Sequence, residues 1–151
     1  MHKGRRRFMD FFLYAGLAMF ALVLGRGVVA QDWRTASREP TGLAPDPATT
    51  SEAVVQVYAA RTWGWKGSFG VHTWVAVKPR DAKAYVVYEV IGWRLRWGGT
   101  ALVISERPPD GYWFGNAPEL LAERRGEEAE PLIPKIEAAV QAYPYAKEYS
   151  V

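Results

Sequence analysis

His72 is the residue of this chain with the clearest capacity for chemistry, because an imidazole can exchange a proton near neutral pH. It is the only histidine after position 2, and it lies within the run Ser68 to Lys78. The alternation of that run predicts a β-strand with Gly70, His72 and Trp74 on one face and the valines on the other. A role as general base is one interpretation, and a hydrogen-bonded structural histidine is the alternative.

A second titratable group lies in the middle of the next apolar stretch. Glu89 interrupts the run from Val87 to Ile91 with a carboxylate. A buried carboxylate needs a partner, and His72 or an arginine could provide one, whereas on a solvated face it needs none. We therefore predict that Glu89 orients His72, and we take the two residues as the candidate catalytic pair.

Aromatic residues near turns form the candidate binding site. Exposed indoles of an envelope protein could stack on a glycan or contact a protein, whereas buried ones would stiffen a small sheet. The loop from Asp110 to Asn116 could also bind an anion or a carbonyl at a helix N-terminus, or Asn116 could simply cap that helix. The predicted binding residues are Trp63, Trp65, Trp74, Tyr112, Trp113 and Asn116.

Composition argues against several other classes of site. The chain has no cysteine and one usable histidine, so we expect no metal and no cofactor. Its net charge of +3 comes from residues 1–30, which hold five Lys or Arg and one Asp. Residues 31–151 hold fourteen basic and fifteen acidic residues. The folded part therefore lacks the excess of positive charge that nucleic-acid binding requires.

The N-terminus has the pattern of an export signal. Basic residues up to Arg7 precede an apolar run from Phe11 to Leu24, and small residues at Val28 and Ala30 resemble a cleavage site. Residues 1–30 are therefore predicted to be a signal peptide or a membrane anchor, and both alternatives stay open. In either case the rest of the chain is expected in the periplasm, secreted or held at the inner membrane by the N-terminal helix.

The remaining sequence predicts a linker and one α+β domain. Residues 31–51 are rich in proline and are expected to form an extended linker. Residues 52–151 then predict an antiparallel sheet of about four strands, followed by helices that cover it. The strands are expected over 53–61, 68–78, 85–94 and 101–107, and the helices over 116–125 and the later half of 127–143.

From Glu52 onward the chain resembles the bacterial family catalogued as domain of unknown function 3750. The similarity implies no activity, but it implies an exported or membrane-anchored protein. The family pattern continues beyond Val151, so the domain is expected to be C-terminally incomplete. The matching segments are Val55–Arg61, His72–Trp74 within Val71–Pro79, Tyr88–Trp93, Asp110–Asn116 with Pro118 and Glu119, Leu132–Glu137, and Tyr143–Tyr145.

A strand histidine followed by a later helix with a small nucleophile also resembles, weakly, the permuted NlpC/P60-like folds of papain type. This likeness favours a hydrolase of acyl or amide bonds in which His72 is the base. The nucleophile would then lie beyond the end of this chain. The alternative is a non-enzymatic envelope module that binds a glycan or a protein through its aromatic turns.

Overall fold

The computed structural model describes residues 32, 34–63 and 70–148. Within them the chain forms five strands, two 3₁₀ helices and one α-helix in an α+β arrangement. The strands are β1 (Val54–Arg61), β2 (Val71–Lys78), β3 (Val86–Val90), β4 (Leu102–Glu106) and β5 (Glu119–Arg125). The 3₁₀ helices are Gly92–Trp97 and Gly126–Glu128, and α1 is Ile133–Gln141.

All five strands belong to one antiparallel sheet with the order β4-β3-β2-β1-β5. The strands predicted over 53–61, 68–78, 85–94 and 101–107 are confirmed with shorter bounds, but residues 92–94 of the third belong to a 3₁₀ helix. β1 and β2 are central and are the most apolar, because their residues pack on both faces of the sheet. The strand that carries His72 is therefore held by neighbours on each side.

The α-helix packs on part of one face of the sheet. Ala129 and Ile133 pack with Val55 and Val77 in a small apolar cluster on this face. Pro134 lies at the start of α1, where its missing N–H removes no helical hydrogen bond. Only the later part of the predicted 127–143 segment is therefore regular α-helix.

The other face is the side on which His72 lies, and it holds the larger cluster, around Tyr58, Trp74 and Trp113. Residues 36–47, which we call the strap, lie over this cluster together with the loop from Pro108 to Asn116. The strap pairs with the loop through a β-bridge between Pro40 and Gly111. A Cβ on Gly111 would lie 2.8 Å from a backbone oxygen of the strap, so glycine permits this close approach.

Asp110 fixes the strap in place. Its side chain is buried, and its Oδ2 accepts hydrogen bonds from the N–H groups of Leu43 at 2.7 Å and Ala44 at 3.3 Å. The hydroxyl of Thr41 donates to the same oxygen at 3.3 Å. Burial raises the pKa of Tyr85 to about 12, and its neutral hydroxyl donates to the carbonyl of Pro45 at 3.0 Å.

The helix predicted over 116–125 is wrong, because residues 119–125 form β5. Their side chains are good helix formers, but the open edge of β1 offers a full set of backbone hydrogen bonds. Gln56 adds a side-chain bond across this pair, from its Nε2 to Oε1 of Glu123 at 2.7 Å. Asn116 does not cap a helix but bridges to Trp113 in a tight turn that contains Gly115 at φ 84°.

Most of the segment predicted as a linker, residues 31–51, is described in the structure. Residues 36–51 belong to the same compact unit as the sheet, and their prolines and Thr41 lie against the loop that follows β4. The predicted signal or anchor of residues 1–30 lies outside the described residues. Within the described residues, no helix has the length and apolar character to cross a bilayer.

Replacing Asp110 by Ala should lower the free energy of unfolding by about 1–3 kcal/mol, because buried donors of the strap lose their acceptor. Urea unfolding, followed by tryptophan fluorescence, measures this loss. Glu39→Ala is the matched control, since it removes an exposed acid from the same strap. Equal unfolding midpoints for the two variants would contradict the role given to Asp110.

Candidate functional site

His72 and Glu89 form a close pair on neighbouring strands. Glu89 is paired directly with Trp74 across β2 and β3, so its side chain lies one diagonal step from His72 on the same face. His72 Nε2 and Glu89 Oε2 are 2.8 Å apart, and both side chains are at least nine-tenths buried. The partner expected for a buried Glu89 is therefore the imidazole.

Arg107 is a third member that the sequence interpretation missed. Its Nη2 lies 3.3 Å from Glu89 Oε1, and its side chain is only 29 % exposed. The guanidinium also lies 5.7 Å from the ring centre of Trp74. The need of a buried carboxylate for a second partner was the only signal that pointed to an arginine.

These two partners determine the ionisation of Glu89. Burial by itself would raise its pKa, but the hydrogen bond from His72 and the charge of Arg107 outweigh burial and lower the pKa below the ordinary value. Glu89 is therefore a carboxylate throughout the neutral range. Each of its oxygens has a different partner, which fixes its orientation.

Two aromatic rings lie beside the imidazole, and one of them, Trp113, covers a flat face. The ring of Trp113 is stacked on His72 with centroids 3.7 Å apart and planes 13° apart, and Trp74 lies 5.7 Å away. The indole N–H of Trp74 donates to the carbonyl of Pro109 at 2.7 Å, which fixes the second ring. His72 has little rotational freedom between these contacts.

The pairing with Glu89 indicates which nitrogen of His72 carries the proton. A carboxylate accepts hydrogen bonds only, so Nε2 must donate and a neutral ring keeps its lone pair on Nδ1. Among the described residues no group hydrogen-bonds Nδ1, and the only fully buried side-chain N or O atom without a partner is Ser105 Oγ. The His72 side chain as a whole is 10 % exposed.

A groove of about 530 Å³ lies on the opposite face, between the sheet and α1. Val71, Thr73 and Val75 line it, and by the strand alternation His72 and Glu89 border it only with their backbone. The groove is therefore separated from the imidazole by the thickness of the sheet. Within the described part of the chain, the hydrogen-bond and ring partners of the imidazole are one carboxylate and two indoles, and none of these is a hydroxyl or thiol nucleophile.

The predicted binding residues fall into three groups. Trp74 and Trp113 are 2 % and 7 % exposed, so their rings hold His72 and have no open face for a glycan. Tyr112 and Asn116 lie half-buried in the loop under the strap, where Asn116 Nδ2 donates to the carbonyl of Trp113 at 3.3 Å. Trp63 is 43 % exposed, and Trp65 lies outside the described residues.

A family model described as "Protein of unknown function (DUF3750)" matches residues 52–151, and the chain belongs to this family. The expected family membership is confirmed. No curated protein matches the chain, and no solved structure does so either. The weak likeness to NlpC/P60-like folds therefore has no support from known structures.

Glu89→Gln should lower the free energy of unfolding by about 1–3 kcal/mol at neutral pH, because Arg107 loses its charged partner. Because folding lowers the pKa of Glu89, its carboxylate stabilises the fold at pH values above the ordinary pKa of 4.5. This contribution is lost as the pH falls below 4.5. The difference in the free energy of unfolding between wild type and variant should therefore become smaller as the pH is lowered from 5 to the acid limit of folding. Chemical denaturation at a series of pH values measures it, and a constant difference would contradict the assignment.

Proposed function

We propose that this protein is an exported hydrolase of acyl or amide bonds in which His72 is the general base. The single observation that carries the proposal is the 2.8 Å contact of His72 Nε2 with Glu89, which leaves Nδ1 as a free base. A carboxylate that holds an imidazole in one tautomer is the arrangement used to activate hydroxyl nucleophiles on unrelated folds. The pattern of residues 1–30 supports the export.

Glu89 and Arg107 act as positioning residues in this proposal. Glu89 orients the ring and stabilises the imidazolium that forms when Nδ1 takes a proton. Arg107 keeps Glu89 ionised and stops it from turning away. Trp113 limits the tilt of the imidazole, so that its free nitrogen points in one direction.

The reaction begins when Nδ1 accepts the proton of a nucleophile hydroxyl, and the oxygen attacks the carbonyl carbon of the substrate. The proton then passes from His72 to the leaving amine or alkoxide as the bond to the carbonyl carbon breaks. A water molecule, activated by the same nitrogen, hydrolyses the acyl-enzyme. In this proposal, as in the sequence analysis, the nucleophile lies beyond the end of this chain.

Ser105 is not the nucleophile in this scheme, although its hydroxyl is buried without a hydrogen-bond partner. It is paired with Val87 on β3, whereas Glu89 is paired with Val103. Its position on β4 is thus two strands away from His72 and further down the sheet. The distance between neighbouring strands alone puts Ser105 beyond the reach of Nδ1.

The test is labelling with a fluorophosphonate probe, which phosphonylates activated serines, and it uses this chain extended by the segment with which the family pattern continues. His72→Gln should slow labelling at least about 100-fold, the usual contribution of a general base, and Glu89→Gln should slow it less. Lys135→Gln, an exposed change on α1, is the control and should leave labelling unchanged.

Circular dichroism and an unfolding curve would show that each variant is folded. If His72→Gln unfolds the chain, free imidazole added to His72→Gly gives a second reading, since it should restore labelling. The proposed hydrolase would be contradicted if His72→Gly were labelled equally fast with and without added imidazole. It would also be contradicted if the wild type were not labelled.

A further inference from the structure

The 3₁₀ helix Gly92–Trp97 presents two tryptophans and two arginines to solvent. Trp97 is 85 % exposed, Trp93 is 48 % exposed, and Arg94 and Arg96 are exposed. We call Trp93, Arg94, Arg96 and Trp97 the aromatic–cationic patch. An indole normally gains free energy from burial, so an almost fully exposed tryptophan leaves a large apolar surface unused.

The charge of this patch is not compensated nearby. Among the described residues, neither Arg94 nor Arg96 forms an ion pair. The sequence also has no acidic residue between Glu89 and Glu106. The patch therefore combines apolar rings with two free positive charges.

The segment after α1 extends the same surface. The N–H of Ala101 donates to the carbonyl of Ala146 at 2.8 Å, which brings this segment beside the turn that follows the 3₁₀ helix. Tyr145 is 58 % exposed, and Lys147 is exposed, with Glu148 next to it. A third aromatic ring and a third cation thus flank the patch.

We propose that the aromatic–cationic patch binds the surface of an anionic lipid bilayer. Tryptophan prefers the interface between water and lipid, and arginine is attracted to anionic head groups. The two unpaired arginines are complementary in charge to an anionic membrane, whereas a neutral glycan has no negative charge to pair with them. The apolar run predicted to anchor residues 1–30 would keep the domain close to such a surface.

This contact is separate from the proposed hydrolase and adds a second membrane attachment to the predicted leader. Trp93 links the patch to the fold, because its ring lies 5.9 Å from that of Trp113 and 6.0 Å from that of Phe114. Trp97 makes no ring contact with another described residue, and it is the ring expected to enter the interface. The patch lies at the end of the sheet where Val90 pairs with Leu102.

The absence of cysteine from the chain permits a clean fluorescence test. The full chain with Thr100→Cys carries an environment-sensitive dye three residues after Trp97, at an exposed position. A second labelled variant, Glu127→Cys, reports from the opposite end of the sheet, beyond the pairing of Val54 with Arg125. The leader is present in both, so its own binding to lipid affects them equally.

Vesicles of phosphatidylglycerol and phosphatidylcholine should shift the emission of the dye at position 100 to the blue, and leave that at position 127 unchanged. Arg94→Gln with Arg96→Gln should weaken this response about 30-fold, since each cation near an anionic surface contributes about a five-fold step. High salt should weaken it too. Both arginines are exposed, so the variant is expected to fold.

Three results would overturn the proposal. The first is an equal response at positions 100 and 127. The second is a response to pure phosphatidylcholine that is the same with and without the arginine substitutions. The third is a shift caused by soluble peptidoglycan fragments without lipid, which would assign the patch to a glycan.

Discussion

The hydrogen bond between His72 and Glu89 is the interaction on which the rest of this site depends. A buried carboxylate and a buried imidazole are each costly alone, and together they remove most of that cost. The pair favours one register of β2 and β3, because a shift by one residue would put the two side chains on opposite faces of the sheet. Arg107 then pairs with the second oxygen of Glu89, and Trp113 stacks on the imidazole.

The surroundings of the pair come from distant parts of the chain. The loop from Pro108 to Asn116 brings Trp113 onto the imidazole, and the strap lies on that loop and is fixed to it by Asp110. The strap precedes residues 52–151, which match the family. Residues outside the matched segment therefore help to enclose the candidate site.

Much of the sheet could be predicted from the sequence, because its strands have clear alternation and glycine-rich turns separate them. The same alternation predicted which residues of β2 share a face, and it put His72 beside Trp74. The error at residues 119–125 has a physical cause, since Glu, Leu, Ala and Arg prefer a helix until the edge of β1 offers them a strand. The strap and Arg107 could not be predicted, because their partners lie 67 and 18 residues away along the chain and leave no local pattern.

The tautomer of His72 is the most direct measure of the central claim. The chain has two histidines, so nitrogen-15 labelling with a His72→Gln variant for assignment gives an unambiguous NMR spectrum. Once the imidazole is neutral, our account predicts that the remaining proton is on Nε2, with Nδ1 unprotonated. A proton on Nδ1 would contradict it, because Glu89 would then have no hydrogen-bond donor in the ring and His72 no free base.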